Sequence, residues 1–225
     1  MMDWTLFLSA VTTTETPLLP APGLARAYLA ASWALVLVAL TARLLPRRAS
    51  GPQRWQYAVL LALALWTLWP GPASPAYWLG LAFRAPSVLS VLLCAWWLLH
   101  RLRPGLQWSG PGTTVRQIAL AGSVLGWVLL LDTLAFWPQA LYAWGYSPLL
   151  LGGLALAACL PWLGFGAGHP AARVSLLLGG VLLLHVLLRL PTGNVWDAVL
   201  DPWLWLVLQI VLLRSAVRRL RRRRG

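Results

Sequence analysis

The sequence predicts an all-α protein, a polytopic membrane bundle of about seven transmembrane helices with its N-terminus outside and its C-terminus in the cytoplasm. Three observations support this prediction. Of the 225 residues, 60% are hydrophobic and only 10% are charged, whereas about 25% of the residues of a soluble domain are charged. The apolar residues form runs long enough to cross a bilayer, which takes about 20 residues. The arginines lie mainly between these runs, so a soluble enzyme is excluded.

Seven segments have the length and hydropathy of transmembrane helices. The first six are residues 24–45, 55–69, 85–100 (ending at Arg101), 115–137, 148–165 and 172–190, and the seventh starts at Pro202 and runs into the arginine tail. Proline follows the second, fourth and sixth segments and is expected to stop them, because it cannot continue helical hydrogen bonding. We therefore predict one helical domain over residues 24–217. An interfacial or periplasmic segment, residues 1–23 with Trp4 and Phe7 as anchors, precedes it, and a cytoplasmic arginine-rich tail, residues 218–225, follows it.

Residues 76–86 allow two interpretations. In one, they begin a long third helix that contains Arg84. In the other, they form an interfacial or re-entrant piece, and the helix starts at Pro86. The second is favoured because proline suits the first turn of a helix and breaks a backbone bond in the interior.

The start of the seventh helix is the best-defined boundary. Asp201 is a good N-cap residue, and Pro202 suits the first helical position, where its missing N–H costs nothing. Replacing Asp201 by alanine should therefore cost about 1 kcal/mol, and replacing it by asparagine, which also caps well, should be nearly silent.

The distribution of arginine predicts the orientation. With seven spans, one side of the membrane receives fifteen arginines and the other receives three. The fifteen are Arg43, Arg47, Arg48, Arg54, Arg101, Arg103, Arg116, Arg173, Arg214, Arg218, Arg219 and Arg221 to Arg224, and the three are Arg26, Arg84 and Arg189. Because basic loops stay in the cytoplasm, the C-terminus is predicted to be cytoplasmic. The basic residues flank apolar segments, so the net charge of +13 does not indicate nucleic-acid binding.

Polar residues gather at the predicted outer side, where they form a candidate site. Its members are Arg84, Asp132, Arg189, Asn194, Asp197 and Asp201. Charged side chains near the hydrocarbon need partners of opposite charge. Asp132 is therefore expected to pair with Arg189 in preference to Arg84. If the helical turn continues, Asp197 and Asp201 share one face. The cluster is interpreted either as structural pairing and capping or as an outward-facing pocket for an anionic or sugar-like group.

Motifs for known chemistry are absent from the sequence, and no catalytic residue, cofactor or metal is predicted. His100, His169 and His185 lie at different depths, which argues against haem ligation, and His185 is interpreted as a packed core residue. Cys94 and Cys159 are interpreted as buried thiols. Close helix approach is expected at Gly122 and Gly126, and also at Gly152-Gly153 and Gly179-Gly180.

The tail is expected to bind anionic lipid headgroups through Arg218, Arg219, Arg221, Arg222, Arg223 and Arg224. Docking to an acidic partner protein is the alternative. Three functions stay open: a non-enzymatic accessory or assembly subunit of an inner-membrane complex, which is favoured, a small transporter or flippase-like carrier, and a periplasm-facing enzyme for a lipid-linked substrate that uses Asp132, Asp197 and Arg189. Arginine without lysine suggests a bacterial genome rich in G and C.

Overall fold

A computed structural model describes residues 18–46, 54–102, 112–136, 138, 140–165 and 170–224. Within these ranges the chain is helical and contains no strand, so the all-α class is confirmed. The helices are α1 (Pro22–Leu44), α2 (Arg54–Leu68), α3 (Pro75–Phe83), α4 (Val88–Leu102), α5 (Gly112–Thr133), α6 (Pro148–Phe165), α7 (Pro170–Leu188), α8 (Val195–Val199) and α9 (Pro202–Arg224), with a 3₁₀ turn at Ala143–Tyr146. The anchors Trp4 and Phe7, together with His169, lie outside the described residues.

The seven predicted segments correspond to α1, α2, α4, α5, α6, α7 and α9. Among the described residues, α1 alone is both long and apolar enough to cross a membrane by length and composition. Shorter apolar helical stretches cover Val88–Leu102, Ala119–Thr133, Pro148–Gly164 and Ser175–Leu188. The number of spans therefore stays a prediction.

Within residues 76–86, a separate short helix ends at Phe83, and the residues after it are not helical. The Ser74 hydroxyl accepts a hydrogen bond from the amide of Ala76 at 3.1 Å, which caps α3. The helix ends where Arg84 takes φ 60° and ψ −162°. A continuous helix through Arg84 is therefore wrong, and α4 begins at Val88, two residues later than expected.

Two helices end earlier than their prolines predict, because a left-handed residue stops each one. At the end of α5, Ala135 has φ 56°, and the amides of Ala135 and Phe136 bond to the carbonyls of Asp132 and Leu131. This pairing is the Schellman motif. At the end of α7, Arg189 has φ 56° and its amide bonds to the carbonyl of His185 at 2.8 Å. Both helices therefore end before the chain reaches Pro138 and Pro191, and the prolines do not terminate them.

Helix α1 packs against α2, α3 and α4, and α4 packs in turn against α7. Helix α7 also contacts α6, and α8 covers the end of α7. The principal contact of α9 is with α5. Three small cores lie between these helices: Val38, Ala42 and Leu60; Val88, Val181, Leu190 and Ala198; and Ala158, Leu182 and Val195.

Glycine mediates the contact between α5 and α9, as predicted. A Cβ atom built on Gly126 would overlap the indole of Trp205, and one on Gly122 would overlap the side chain of Leu208. The same expectation is wrong for the other pairs, because Gly152, Gly153 and Gly179 face open space among the described residues and Gly180 makes only an ordinary contact. The cysteine prediction also fails in part, since Cys94 is half-buried but Cys159 is exposed.

Candidate functional site

The candidate residues lie where α3, α5 and α7 end, in and before α8, and where α9 begins, and hydrogen bonds divide the polar residues there into two groups. We call the first the Asp201 cluster, which consists of Ser87, Ser90, Asp201 and Leu204. We call the second the Tyr142 cluster, which consists of Asp132, Leu141, Tyr142, Thr192, Asn194, Trp196 and Asp197. Arg84 follows the end of α3, and Arg189 follows the end of α7.

In the Asp201 cluster, one carboxylate bonds to two helix starts. Oδ1 of Asp201 accepts from the amide of Leu204 at 2.8 Å, which confirms the predicted N-cap of α9. Oδ2 accepts from the amide of Ser87 at 2.8 Å and from the hydroxyl of Ser90 at 2.5 Å. Asp201 is buried, so these bonds compensate for the loss of water around its charge. The carboxylate therefore joins α9 to the first turn of α4.

Asp197 and Asp201 do not share a helix face. Helix α8 ends at Val199, and Leu200 is extended with φ −142° and ψ 132°. The i, i+4 relation requires a continuous helix, so the extended residue places the two carboxylates in different clusters. The expectation of a shared face was wrong.

Asp132 binds backbone amides rather than an arginine. Its Oδ1 accepts from the amide of Leu141 at 2.9 Å and its Oδ2 from the amide of Tyr142 at 2.7 Å. The predicted pairing of Asp132 with Arg189, or with Arg84, is therefore wrong. The reason is local: the chain turns back after the end of α5 and brings two free amides to the carboxylate.

Asp197 and Asn194 complete the Tyr142 cluster from the segment that follows α7. Oδ2 of Asp197 accepts from the hydroxyl of Tyr142 at 2.7 Å and from that of Thr192 at 2.5 Å. The fully buried Asn194 donates to the carbonyl of Tyr142 at 2.9 Å and caps α8 by accepting from the amide of Trp196. The indole of Trp196 donates to the carbonyl of Leu141 at 3.2 Å. These bonds fasten the segment after α5 to the segment after α7.

The hydroxyl of Tyr142 is held in its protonated form. Burial raises its pKa, and the hydrogen bond to Asp197 and the charge of that carboxylate raise it further. The positive charge of Arg84 opposes these effects. Tyr142 therefore acts as a neutral donor to Asp197.

Arg84 and Arg189 differ from the carboxylates because their guanidinium groups are not used to build the fold. Arg84 is exposed and Arg189 is half-buried. Within the described ranges, the three carboxylates take their hydrogen bonds from amides and hydroxyls, and no ion pair joins them to either arginine. The arginine backbones do have structural contacts, since the Trp33 indole donates to the carbonyl of Arg84 at 2.8 Å.

His185 is a packed core residue, as interpreted from the sequence. It is buried, and its Nδ1 lies 3.2 Å from the carbonyl oxygen of Leu190. Across the described residues, no three His, Cys, Asp or Glu side chains come together as a metal site. The carboxylates of Asp132, Asp197 and Asp201 accept hydrogen bonds from amides and hydroxyls of other segments, so they stabilise the junctions between these segments.

Sequence reasoning missed the hydroxyl groups of Ser87, Ser90 and Thr192 and the central position of Tyr142. A signal was present for two of them, because Ser87 follows Pro86 and Thr192 follows Pro191. Short hydroxyl side chains beside proline often bond to nearby backbone in turns. Comparisons with known protein families, with curated proteins and with solved structures find no match to this chain.

Proposed function

We propose that this chain is a multi-pass protein of a bacterial inner membrane and serves as a non-enzymatic accessory or assembly subunit of a membrane complex. The proposal that the chain spans a membrane rests on the large apolar side chains that are exposed along every long helix. Leu156 of α6 is 71% exposed, and Leu187 of α7 and Leu213 of α9 are each 66% exposed. Water-soluble proteins rarely leave such continuous apolar surface uncovered. Lipid tails would cover it at no cost.

Helix dimensions also support spanning. The 23 residues of α1 correspond to about 34 Å, which exceeds a hydrocarbon core of about 30 Å. The 15 residues of α2 give only about 22 Å. Trp55 lies in the first turn of α2 and Trp69 directly follows its end, and tryptophan at both ends of a short helix suits the interfacial regions of a bilayer.

The polar contacts at the two ends of the bundle support the proposed orientation. At one end, the guanidinium of Arg101 donates to the carbonyl of Leu45 at 2.8 Å, which joins the ends of α1 and α4, and arginines follow both helices in the sequence. The acidic side chains of the Asp201 cluster and the Tyr142 cluster lie near helix ends other than those joined by Arg101. Arginine-rich ends are expected in the cytoplasm, where the tail from Arg218 onward would meet anionic lipid headgroups.

The state of the carboxylates favours a subunit over an enzyme or a carrier. A general base or a proton carrier needs a carboxylate that is free to change its partners. Asp132, Asp197 and Asp201 instead accept bonds from amides and hydroxyls of the fold. The function of such a chain would lie in the surfaces of its helices, through which it would contact other membrane proteins.

Reporter fusions test the membrane topology. Alkaline phosphatase, which is active only in the periplasm, should be inactive when fused after Gly225 and active when inserted in residues 70–76. Green fluorescent protein fused after Gly225 should fluoresce. Active phosphatase after Gly225 would refute the orientation.

Native electrophoresis after extraction in a mild detergent tests the subunit role. We expect the tagged chain, produced at its natural level, to migrate in an assembly several times larger than its own 24.7 kDa. The same chain overproduced alone should migrate as a smaller species. A single small species at natural levels would contradict the subunit role, whatever the result for topology.

A further inference from the structure

Helix α9 has two opposite faces. One face packs against α5 through Trp205 and Leu208. The opposite face carries large apolar side chains that the described chain leaves between 39% and 66% exposed. They follow one another at alternating spacings of four and three residues, and they are Leu206, Ile210, Leu213, Val217 and Leu220. This repeat is the pattern of the a and d positions of a coiled coil, and we call these residues the α9 seam.

The α9 seam extends beyond the uncharged part of the helix. Residues 202–213 precede the first arginine of α9, and these 12 residues measure about 18 Å along the helix axis, whereas a hydrocarbon core is about 30 Å thick. If the bilayer thins to meet Arg214, then Val217 and Leu220 lie in water. If it does not thin, the arginines lie in hydrocarbon, where unpaired charges are costly. Lipid alone therefore leaves either apolar residues in water or charges in hydrocarbon.

The residues beside the α9 seam indicate the chemistry of a partner that would cover it. Arg214 and Arg221 occupy the e positions, which directly follow Leu213 and Leu220, and both arginines are exposed. On the other side of the seam, Gln209 occupies a g position and is half-buried, and its side-chain amide makes no hydrogen bond with the described residues. Charges at the e and g positions determine which helix pairs with a coiled-coil seam, and amide side chains within a membrane bond across helices.

We infer that the α9 seam is the docking surface for a transmembrane helix of another protein, and that this helix carries carboxylates opposite Arg214 and Arg221. Such a helix would cover Val217 and Leu220 and neutralise the flanking arginines at the same time. A second copy of this chain does not fit, because two parallel copies would place the same arginines side by side. The inference rests on the proposed function and deepens it, since it names the surface through which the subunit contacts its complex.

A synthetic helix tests the α9 seam directly. The probe is a fluorescent peptide of four heptads with leucine at every a and d position, alanine elsewhere, and glutamate at the e and g positions of the last two heptads. The control peptide carries glutamine in place of glutamate. Binding to the full-length protein is measured in micelles of an uncharged detergent, from the fluorescence anisotropy of the peptide as the protein concentration rises.

Two pairs of substitutions remove equal charge from α9. Arg214→Gln with Arg221→Gln removes the arginines beside the seam, whereas Arg218→Gln with Arg219→Gln removes arginines on other faces of the same helix. All four side chains are exposed, so both double variants should keep the unfolding temperature of the wild type.

We expect the wild type to bind the glutamate peptide with a Kd about tenfold lower than that of the glutamine peptide. The substitutions at Arg214 and Arg221 should raise the Kd of the glutamate peptide about tenfold, and those at Arg218 and Arg219 should leave it within about twofold. Attraction between the peptide and the tail as a whole would raise the Kd equally in both double variants, and that result would overturn the inference.

Two leucines provide a matched test of the apolar contact. Leu213→Ala shortens a residue of the α9 seam, and Leu156→Ala shortens a comparably exposed residue of α6. Only Leu213→Ala should weaken binding of the glutamate peptide, and equal effects of the two variants would contradict the docking surface. Self-association of the chain without peptide, if Leu213→Ala abolished it, would assign the seam to a second copy and would also overturn the inference.

Native electrophoresis separates this inference from the proposed function. The assembly expected for the chain at its natural level should be lost when Arg214 and Arg221 are replaced and should persist when Arg218 and Arg219 are replaced. An intact assembly in both double variants would overturn the inference and leave the subunit role standing. The expected peptide binding without any assembly of the wild-type chain would refute the subunit role and leave the α9 seam as a docking surface for an acidic helix.

Discussion

At the helix ends, Asp132 and Asp201 bond to backbone amides of other segments, whereas along the helices Gly122 and Gly126 of α5 pack directly against Leu208 and Trp205 of α9. The first region depends on hydrogen bonds with defined directions. The second depends on the fit between small and large side chains. Lipid removes most of the hydrophobic advantage of packing helices together. The comparison therefore indicates that carboxylates determine which helix ends meet, and that glycines determine how closely the helices then approach.

The largest effect is expected at Asp201. Asp201→Ala removes the acceptor for the amides of Ser87 and Leu204 and for the hydroxyl of Ser90, so the free energy of unfolding should fall by about 3 kcal/mol. Unfolding by sodium dodecyl sulfate in mixed micelles, followed by circular dichroism, measures this loss in the free energy of unfolding.

Asp201→Asn sharpens this prediction. The sequence alone predicts a nearly silent change, because asparagine can cap α9. In the structure, however, the amide nitrogen would replace Oδ2 and face the N–H of Ser87. We therefore expect a loss of about 1.5 kcal/mol. A silent asparagine variant would show that capping of α9 is the whole role of Asp201.

Gly126→Ala tests the contact between α5 and α9. The added methyl group would overlap Trp205, so the indole must move, and the free energy of unfolding should fall by about 2 kcal/mol. Gly153→Ala in α6 is the matched control because its Cβ would enter open space, and this variant should be neutral or slightly more stable. Equal effects of the two variants in the same mixed-micelle assay would show that α5 and α9 do not approach closely.

Asp132 provides a smaller test at the helix ends. Asp132→Ala leaves the amides of Leu141 and Tyr142 without their acceptor, and the expected loss is about 1.5 kcal/mol. The charge exchange Asp132→Arg with Arg189→Asp should restore nothing, because the two residues are not an ion pair. Recovery of stability in the double variant would contradict the structure.

The smallest effect is expected at Tyr142. Tyr142→Phe removes one hydrogen bond to Asp197 and should cost about 1 kcal/mol at pH 7. Because the folded protein raises the pKa of Tyr142, its protonated form contributes stability that is lost as the pH rises above about 10. The difference between wild type and variant, measured from pH 7 to 11, should therefore narrow above pH 10. A constant difference would contradict the raised pKa.

Helix positions could be predicted from the sequence because they depend on local composition. The starts of α6 and α9 at Pro148 and Pro202 were predicted to the residue. The left-handed residues Ala135 and Arg189, which terminate α5 and α7, could not be predicted. No sequence signal marks a left-handed residue other than glycine. The hydrogen-bond partners of the carboxylates could not be predicted either. Asp132 meets amides nine and ten residues away, and Asp201 meets Ser87 across 114 residues. Such contacts depend on the tertiary arrangement, whereas the ion pair between Asp132 and Arg189 was predicted from charge alone.

The pairing of α9 with α5 and with the start of α4 has a consequence for biosynthesis. Helix α9 follows every other described helix in the chain, yet it supplies Trp205 for the face of Gly126 and Asp201 for the amide of Ser87. While the ribosome is still translating α6 to α8, the glycine face and the buried amide have no partner from α9. The nascent chain therefore stays incomplete until α9 has been synthesised, and a chain truncated before Asp201 would leave both features exposed to quality-control proteases.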